Sequence, residues 1–263
     1  MRLSLSAFLF EDDRNAMTIE FGRFVELARS VGCDAVELRH SQANPGTPRE
    51  SVQRCKALLD EAGLFVAALN PRHVPPEGRE RDRYFDAYLD VAVALGARLI
   101  KISGTPEWLR GAATRAMERG IVLAVNTHVQ AVTETIQGAL GLARQVDHPN
   151  FGILHDAVHL KVAGEDEVRA VDELYPFIRG VLVQCLRPAR PNEQAVFSYH
   201  GRDYARTVMD ETPVQDWPAI VRALKGRGYD GWIGIVENGW LPERRAEVAL
   251  RTVRHIRRLW NEA

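Results

Sequence analysis

The feature that most constrains this chain is a repeated alternation of short apolar runs with longer amphipathic stretches. Runs rich in Val, Ile and Leu recur eight times, at residues 3–8, 33–38, 64–69, 97–102, 121–125, 151–155, 180–184 and 232–236. Apolar residues spaced three and four apart, typical of helices that face a sheet, lie between or after them at 19–31, 52–62, 84–95, 129–145, 217–225 and 242–260. This order of strands and helices predicts a parallel sheet.

Eight strands in a chain of 263 residues predict one particular parallel architecture. A closed (β/α)8 TIM barrel takes about 250 residues in a single domain. Glycine recurs after a helical stretch and before a strand, where a left-handed helix end favours it, at Gly32, Gly63, Gly96, Gly120 and Gly228. Because no linker or shift in composition divides the sequence, we expect an α/β TIM barrel that spans residues 1–263 as one domain.

Charge and composition exclude several classes of partner. The 35 acidic and 34 basic residues nearly cancel, so no long-range attraction to nucleic acid or to an anionic membrane is expected. The first residues have no cleavage site for a signal peptide, and no apolar run reaches the roughly 18 residues of a membrane span. The three cysteines are widely spaced, as expected for reduced thiols. We expect a cytoplasmic protein with a small-molecule partner; the sequence leaves a homo-oligomer possible.

One connection is anomalously long. Residues 185–214 follow the seventh predicted strand, contain no convincing helix and carry several charged residues, Arg187 among them. A loop of this length in a compact domain is usually functional. Since the loops after barrel strands build the active face, we expect a lid over the site; the alternative is a solvated excursion.

Polar residues recur where the predicted strands end. In a barrel these positions surround the carboxyl-terminal mouth, so side chains distant in sequence are expected to converge there. The series comprises His40, Asn70, His73, Lys101, Asn126, His128, Asp156, His159, Gln184, Glu237 and Asn238. Any one of them alone is more often a structural residue than a functional one.

Four of these residues predict a metal site. Asn126, Asp156, Gln184 and Glu237 offer two carboxylates and two amide oxygens, a donor set that suits Mg²⁺ or Mn²⁺ better than zinc. His159 follows Asp156 by three residues, close enough to orient the carboxylate or share a ligand with it if a helix begins there.

Three segments give the chain a family resemblance. Residues 32–38 (GCDAVEL), 148–159 (HPNFGILHDAVH) and 228–238 (GYDGWIGIVEN) resemble the second, sixth and eighth strands of the xylose isomerase-like TIM-barrel superfamily, and the similarity covers nearly the whole chain. That family contains sugar isomerases, ketose 3-epimerases and hydroxypyruvate isomerases. The resemblance implies one divalent metal at Asn126, Asp156, Gln184 and Glu237. Asn126 departs from the usual Glu, and an amide can ligate through oxygen but cannot accept a proton.

The leading functional hypothesis is a metal-assisted isomerase or epimerase of a sugar or keto acid. Glu237 would act as the base, and Lys101, His128 or His159 would supply the second proton-transfer group. A lyase or dehydratase that expels a β-substituent from a keto sugar is the first alternative, and a metal-poor relative that only binds small molecules is the second. The expected substrate contacts are His40, Asn70, Arg187, Trp108 and Trp240.

Overall fold

Eight parallel strands close into a barrel. The computed structural model describes all 263 residues. The strands are β1 (Arg2–Ser6), β2 (Ala35–Arg39), β3 (Phe65–Asn70), β4 (Leu99–Lys101), β5 (Val122–Asn126), β6 (Phe151–Asp156), β7 (Ile178–Val183), then β8 (Leu186–Pro188), β9 (Phe197–Tyr199) and β10 (Arg202–Arg206) in a separate sheet, and finally β11 (Trp232–Ile235). The barrel order is β1-β11-β7-β6-β5-β4-β3-β2. The predicted TIM barrel is confirmed.

Helices wrap the outside of the barrel. They are α1 (Phe21–Ser30), α2 (Arg49–Ala62), α3 (Arg79–Leu95), α4 (Pro106–Glu118), α5 (Ile136–Val146), α6 (Ala157–Val162), α7 (Glu167–Leu174), α8 (Trp217–Gly226) and α9 (Arg245–Glu262). The five glycines predicted at helix ends all adopt positive φ, from 67° at Gly63 and Gly96 to 89° at Gly32. No helix combines the length and apolar character that a bilayer crossing requires.

Side chains alternate between the two faces of the barrel wall. One set forms a small cluster that fills the barrel interior: Leu99, Ala124, Leu154, Leu182 and Val236. Their strand neighbours, such as Ile153 and Val181, join a core of 61 buried residues between strands and helices. This period of two determines which polar residue at each strand end faces the mouth.

The long connection after β7 forms a structure of its own. Strands β8, β10 and β9 make a three-stranded antiparallel sheet, which we call the flap (residues 186–206). Phe197 of the flap lies with its ring centroid 6.0 Å from that of His159. The expected absence of a helix between 185 and 214 is confirmed, whereas the three strands were not predicted from the sequence.

Two predicted element boundaries differ from the structure. The helix expected over 129–145 begins only at Ile136, where Thr135 accepts a hydrogen bond from the backbone N–H of Gly138 and caps it. Residues 129–135 therefore form a turn that follows the fifth strand at the mouth. The first strand ends at Ser6 because Ala7–Phe10 turns into a short 3-10 helix.

Candidate functional site

A cavity of about 410 Å³ opens at the barrel mouth, where the carboxyl ends of the strands meet. Its polar lining consists of Glu37, Arg39, Lys101, Asn126, His128, Asp156, His159, Gln184, Arg206 and Asn238. Phe8 and the flap residues Val196 and Phe197 contribute apolar walls. This volume suits a ligand the size of a monosaccharide or a small keto acid.

A chain of hydrogen bonds links three strand ends to the flap. The Gln184 side-chain N–H donates to Asp156 Oδ2 over 2.9 Å, and Gln184 Oε1 accepts from Arg206 Nη1 over 3.3 Å. Arg206 Nη2 donates to Asn238 Oδ1. Because a guanidinium can only donate, Arg206 fixes the orientation of the Gln184 amide. Asp156 Oδ1 is buried without a hydrogen-bond partner.

Two histidines stack on each other beside these hydrogen-bonded side chains. The rings of His128 and His159 have centroids 3.9 Å apart at an interplanar angle of 31°. His159 Nε2 lies 3.7 Å from Asp156 Oδ2. Burial lowers the pKa of His159 to about 4, although the Asp156 carboxylate opposes this shift, so the imidazole is neutral at pH 7.

The tautomer of neutral His128 follows from its backbone contact. His128 Nδ1 lies 2.7 Å from the Val129 carbonyl oxygen, which can only accept a hydrogen bond. Nδ1 is therefore the donor in this contact, and in the neutral ring the lone pair is on Nε2. The ring remains exposed at the mouth, where a ligand can reach it.

Two buried charged residues of β2, Glu37 and Arg39, line another part of the cavity wall. Arg39 forms an ion pair with Glu11 over 2.7 Å, and its guanidinium lies 3.9 Å from the centroid of the Phe8 ring. Glu37 accepts a hydrogen bond from the Ser6 hydroxyl over 2.8 Å. Both Glu37 and Arg39 occupy inward positions of β2, the strand whose sequence alternates Ala, Val, Glu, Leu, Arg.

Comparison with protein families gives one match that covers most of the chain. Residues 25–259 match the model described as xylose isomerase-like TIM barrel. The chain belongs to this family. A comparison with curated proteins finds no match.

Solved structures with the same fold come from several bacteria. The probable 3-DHS dehydratase AsbF of Bacillus anthracis is 18% identical with a TM-score of 0.76, covering 98% of this chain and 99% of its own. D-psicose 3-epimerase of Clostridium cellulolyticum, solved with D-tagatose, is 13% identical with a TM-score of 0.78 and 99% coverage of both chains.

A third similar structure was solved with a metal ion. A xylose isomerase-like TIM barrel protein of Mycobacterium smegmatis, in complex with magnesium, is 13% identical with a TM-score of 0.74, covering 99% of this chain and 97% of its own. At these identities the three structures share the fold of this family member.

The structure brings together six of the residues expected at the site. Lys101, Asn126, His128, Asp156, His159 and Gln184 all line the cavity. Glu237 does not: it is fully buried, and it follows the inward-facing Val236, so its side chain leaves the barrel wall on the other face. Neither Glu237 oxygen has a hydrogen-bond partner. Burial raises the pKa of Glu237 to about 7, a shift opposed by Arg206.

The expected substrate contacts lie outside this cavity. His40 contacts the Tyr88 hydroxyl over 3.0 Å, and Trp108 donates to Asp82 from α4. Arg187 forms an ion pair with Glu193 within the flap. Asn70 ends β3 without reaching the cavity lining, and Trp240 lines a neighbouring cavity of about 680 Å³. Their substrate roles stay predictions.

Sequence reasoning missed Glu37, Arg39 and Arg206 as cavity residues. The period of two within β2 could have identified Glu37 and Arg39, since alternate residues share a face. Arg206 arrives from the flap, and no local sequence signal distinguishes it from the other charged residues of the long connection.

The donor set at the mouth does not fit a divalent cation. No cluster of three or more His, Cys, Asp or Glu side chains is arranged to hold one. Gln184 Oε1 accepts from Arg206 and Asp156 Oδ2 accepts from Gln184, so Asp156 Oδ1 is the one oxygen of these two side chains without a partner. The inward residue at the end of β11 is Val236, which offers no ligand. The cavity lining holds two carboxylates, Glu37 and Asp156, against three cations, Arg39, Lys101 and Arg206, and this balance leaves little negative charge to attract Mg²⁺ or Mn²⁺.

Proposed function

We propose that this chain is an enzyme that moves a proton beside the carbonyl group of a sugar or keto acid, as an isomerase or epimerase does. One observation carries the proposal: the stacked histidines, Asp156 and two cationic side chains, Lys101 and Arg206, line the same cavity of monosaccharide size. Proton transfer beside a carbonyl needs a positioned base and a positive group near the oxygen, where negative charge develops.

In the proposed mechanism, His128 takes the proton. Its side chain lines the cavity, and in the neutral ring the lone pair is on Nε2 because Nδ1 donates its proton to the Val129 carbonyl. The imidazolium that forms stacks on the neutral ring of His159, whose Nε2 lies 3.7 Å from Asp156 Oδ2. Asp156 stabilises the added positive charge.

The oxygen of the substrate carbonyl becomes negative as the proton leaves. In this proposal Lys101 and Arg206 stabilise that charge from the cavity wall. No step is assigned to a metal ion, because the oxygens at the mouth do not form a cation site. Glu237, the base expected from the sequence, is replaced in this role by His128.

The first test is exchange of hydrogen between substrate and solvent. We would incubate the protein with ketoses, 3-keto sugars and hydroxypyruvate in D₂O containing EDTA, and follow deuterium incorporation by mass spectrometry. His128→Gln should lower the exchange rate by about 10²-fold or more, the usual contribution of a general base. His255→Gln is the matched control, since His255 lies on α9 outside the cavity.

The products distinguish the chemical classes. Exchange with formation of an isomer indicates an isomerase or epimerase, whereas release of water or an aglycone indicates the lyase alternative. Full activity of His128→Gln would contradict the assigned base.

A binding protein without turnover is the second candidate. It is favoured by Asn126 and Val236, which leave only Asp156 as a carboxylate among the inward residues that end β5, β6 and β11. In that case calorimetry would detect a ligand from the same panel, no substrate would exchange deuterium, and the affinity would be similar in His128→Gln.

A further inference from the structure

Arg206 enters the site from outside the barrel. It is the last residue of β10, and the flap carries it across the mouth to the ends of β7 and β11. There it donates hydrogen bonds to the side-chain oxygens of Gln184 and Asn238. Of the two arginines in the cavity lining, Arg39 is paired with Glu11.

Arg206 differs from Arg39 in its charge balance. It forms no salt bridge within 4.0 Å, whereas Arg39 and the flap residue Arg187 each do. Its Nε is buried and has no hydrogen-bond partner. Glu237 is the charged group that most strongly opposes the lowering of the Arg206 pKa by burial, but it forms no ion pair with the guanidinium within 4.0 Å. A buried guanidinium without a directly paired carboxylate is costly to keep, and a negatively charged oxygen of a ligand would offset part of that cost.

The side chains around Arg206 indicate where a ligand could bind. Gln184, oriented by the guanidinium, donates its N–H to Asp156 and leaves the second Asp156 oxygen free for a ligand. A ligand between Arg206 and Asp156 would thus meet a cation on one side and a hydrogen-bond acceptor on the other. Planar oxygen pairs such as a carboxylate or an enediolate match the two-pronged geometry of guanidinium.

We infer that Arg206 is the fixed electrophile of this site: its guanidinium binds the substrate oxygens that become negative, and the site works without a divalent metal ion. This inference rests on the proposed function and names its substrate class, a small carbonyl compound whose proton loss gives an enediolate or enolate. The flap then supplies a guanidinium to the reaction in addition to the Lys101 ammonium of the barrel.

Oxalate is a suitable probe, because it is a planar dianion that resembles an enediolate and requires no turnover. Titration calorimetry of the whole chain in EDTA should show oxalate binding. The affinity should be weakened at least tenfold in Arg206→Gln. It should be weakened less in Arg206→Lys, which keeps the positive charge but loses the two-pronged donor geometry of guanidinium. Arg202→Gln is the matched control, because Arg202 starts the same strand and is exposed. Thermal unfolding of each variant would check that the flap and barrel remain folded.

Metal binding provides an independent readout. After dialysis against Mn²⁺, the wild-type protein should retain much less than one ion per chain by atomic absorption. Removing the guanidinium and introducing a carboxylate, in the double variant Arg206→Gln with Val236→Glu, should increase Mn²⁺ retention, because the cavity would then carry one more carboxylate and one cation fewer.

Several outcomes would overturn the inference. They are unchanged oxalate affinity in Arg206→Gln, no oxalate binding by the wild-type protein at millimolar concentration, or one Mn²⁺ per wild-type chain that Asp156→Asn removes. If no substrate exchanges deuterium but these binding results hold, the proposed function fails while the role of Arg206 as the anion-binding cation stands.

Discussion

At the scale of single residues, the site depends on which of two neighbouring side chains faces the mouth. Val236 and Glu237 are adjacent, yet Val236 lies in the cluster inside the barrel and Glu237 is buried on the other side of the wall. A one-residue difference reverses the face of a side chain in extended backbone. The two carboxylates that the sequence groups together, Asp156 and Glu237, therefore occupy different environments.

Asp156 and Glu237 should respond differently to neutral substitution. Asp156→Asn is expected to lower the rate of solvent deuterium exchange by about 10²-fold, because it removes the charge that supports the protonated histidine pair. Glu237→Gln should lower it less, at most about tenfold, since Glu237 acts on the cavity only through the field at Arg206. Exchange rates of both variants on the same substrate are the measurement. An equally deep loss in both would restore Glu237 as the base.

At the scale of elements, the flap covers part of the cavity and contributes residues to its lining. Its three strands are short, so side-chain contacts contribute strongly to its order. Arg187 forms a two-pronged pair with Glu193 at 2.7 and 2.6 Å, and the backbone N–H of Arg190 donates to the same carboxylate. The hydrogen bonds from Arg187 are the main cause that lowers the pKa of Glu193 to about 2.

The flap should loosen in acid. A carboxyl with a lowered folded-state pKa stabilises the ordered state above its ordinary value of 4.5, and that stability is lost as the pH falls towards 2. Amide protection factors within the flap, corrected for intrinsic exchange, should fall over this range in the wild-type protein. In Glu193→Gln they should already be low at neutral pH.

The control for the flap experiment is Glu118→Gln, an exposed carboxylate at the end of α4. It should leave the protection of the flap and its acid sensitivity unchanged. Equal flap protection at pH 5 and pH 2 in the wild-type protein would contradict the role of the Arg187–Glu193 pair.

At the scale of the whole molecule, barrel and helices share one continuous core. Its 61 buried residues come from the strands and from every layer of helices around them, so the loss of one helix contact should weaken the entire fold. Leu89 on α3 is fully buried in this core, whereas Leu58 on α2 is 38% exposed.

Truncation of these two leucines should affect stability to different extents, since one is in the core and the other is at the surface. Leu89→Ala is expected to lower the free energy of unfolding by about 2–5 kcal/mol, the range for cavities in close-packed cores. Leu58→Ala should change it by less than about 0.5–1 kcal/mol. Urea unfolding followed by circular dichroism is the measurement, with one cooperative transition expected in each variant. Similar losses at both positions would contradict the shared-core description.

The sequence alone determined the barrel, because its signals are local. Period-two runs, helical spacing and glycines at helix ends each lie within a few residues, and their eightfold recurrence permits few architectures. The same strand-end logic identified Lys101, Asn126, His128, Asp156, His159 and Gln184, all of which line the cavity.

The electrostatics of the mouth, in contrast, depend on contacts between segments that are distant in sequence. Arg206 reaches Gln184 because β10 pairs with β8 across a long connection. No periodic pattern in the sequence around Arg206 predicts this non-local pairing. The environment of buried Glu237 likewise depends on distant segments, since Arg206 of the flap opposes the rise of its pKa. Local spacing specifies the elements, whereas the charge that a ligand meets depends on which distant segments fold over them.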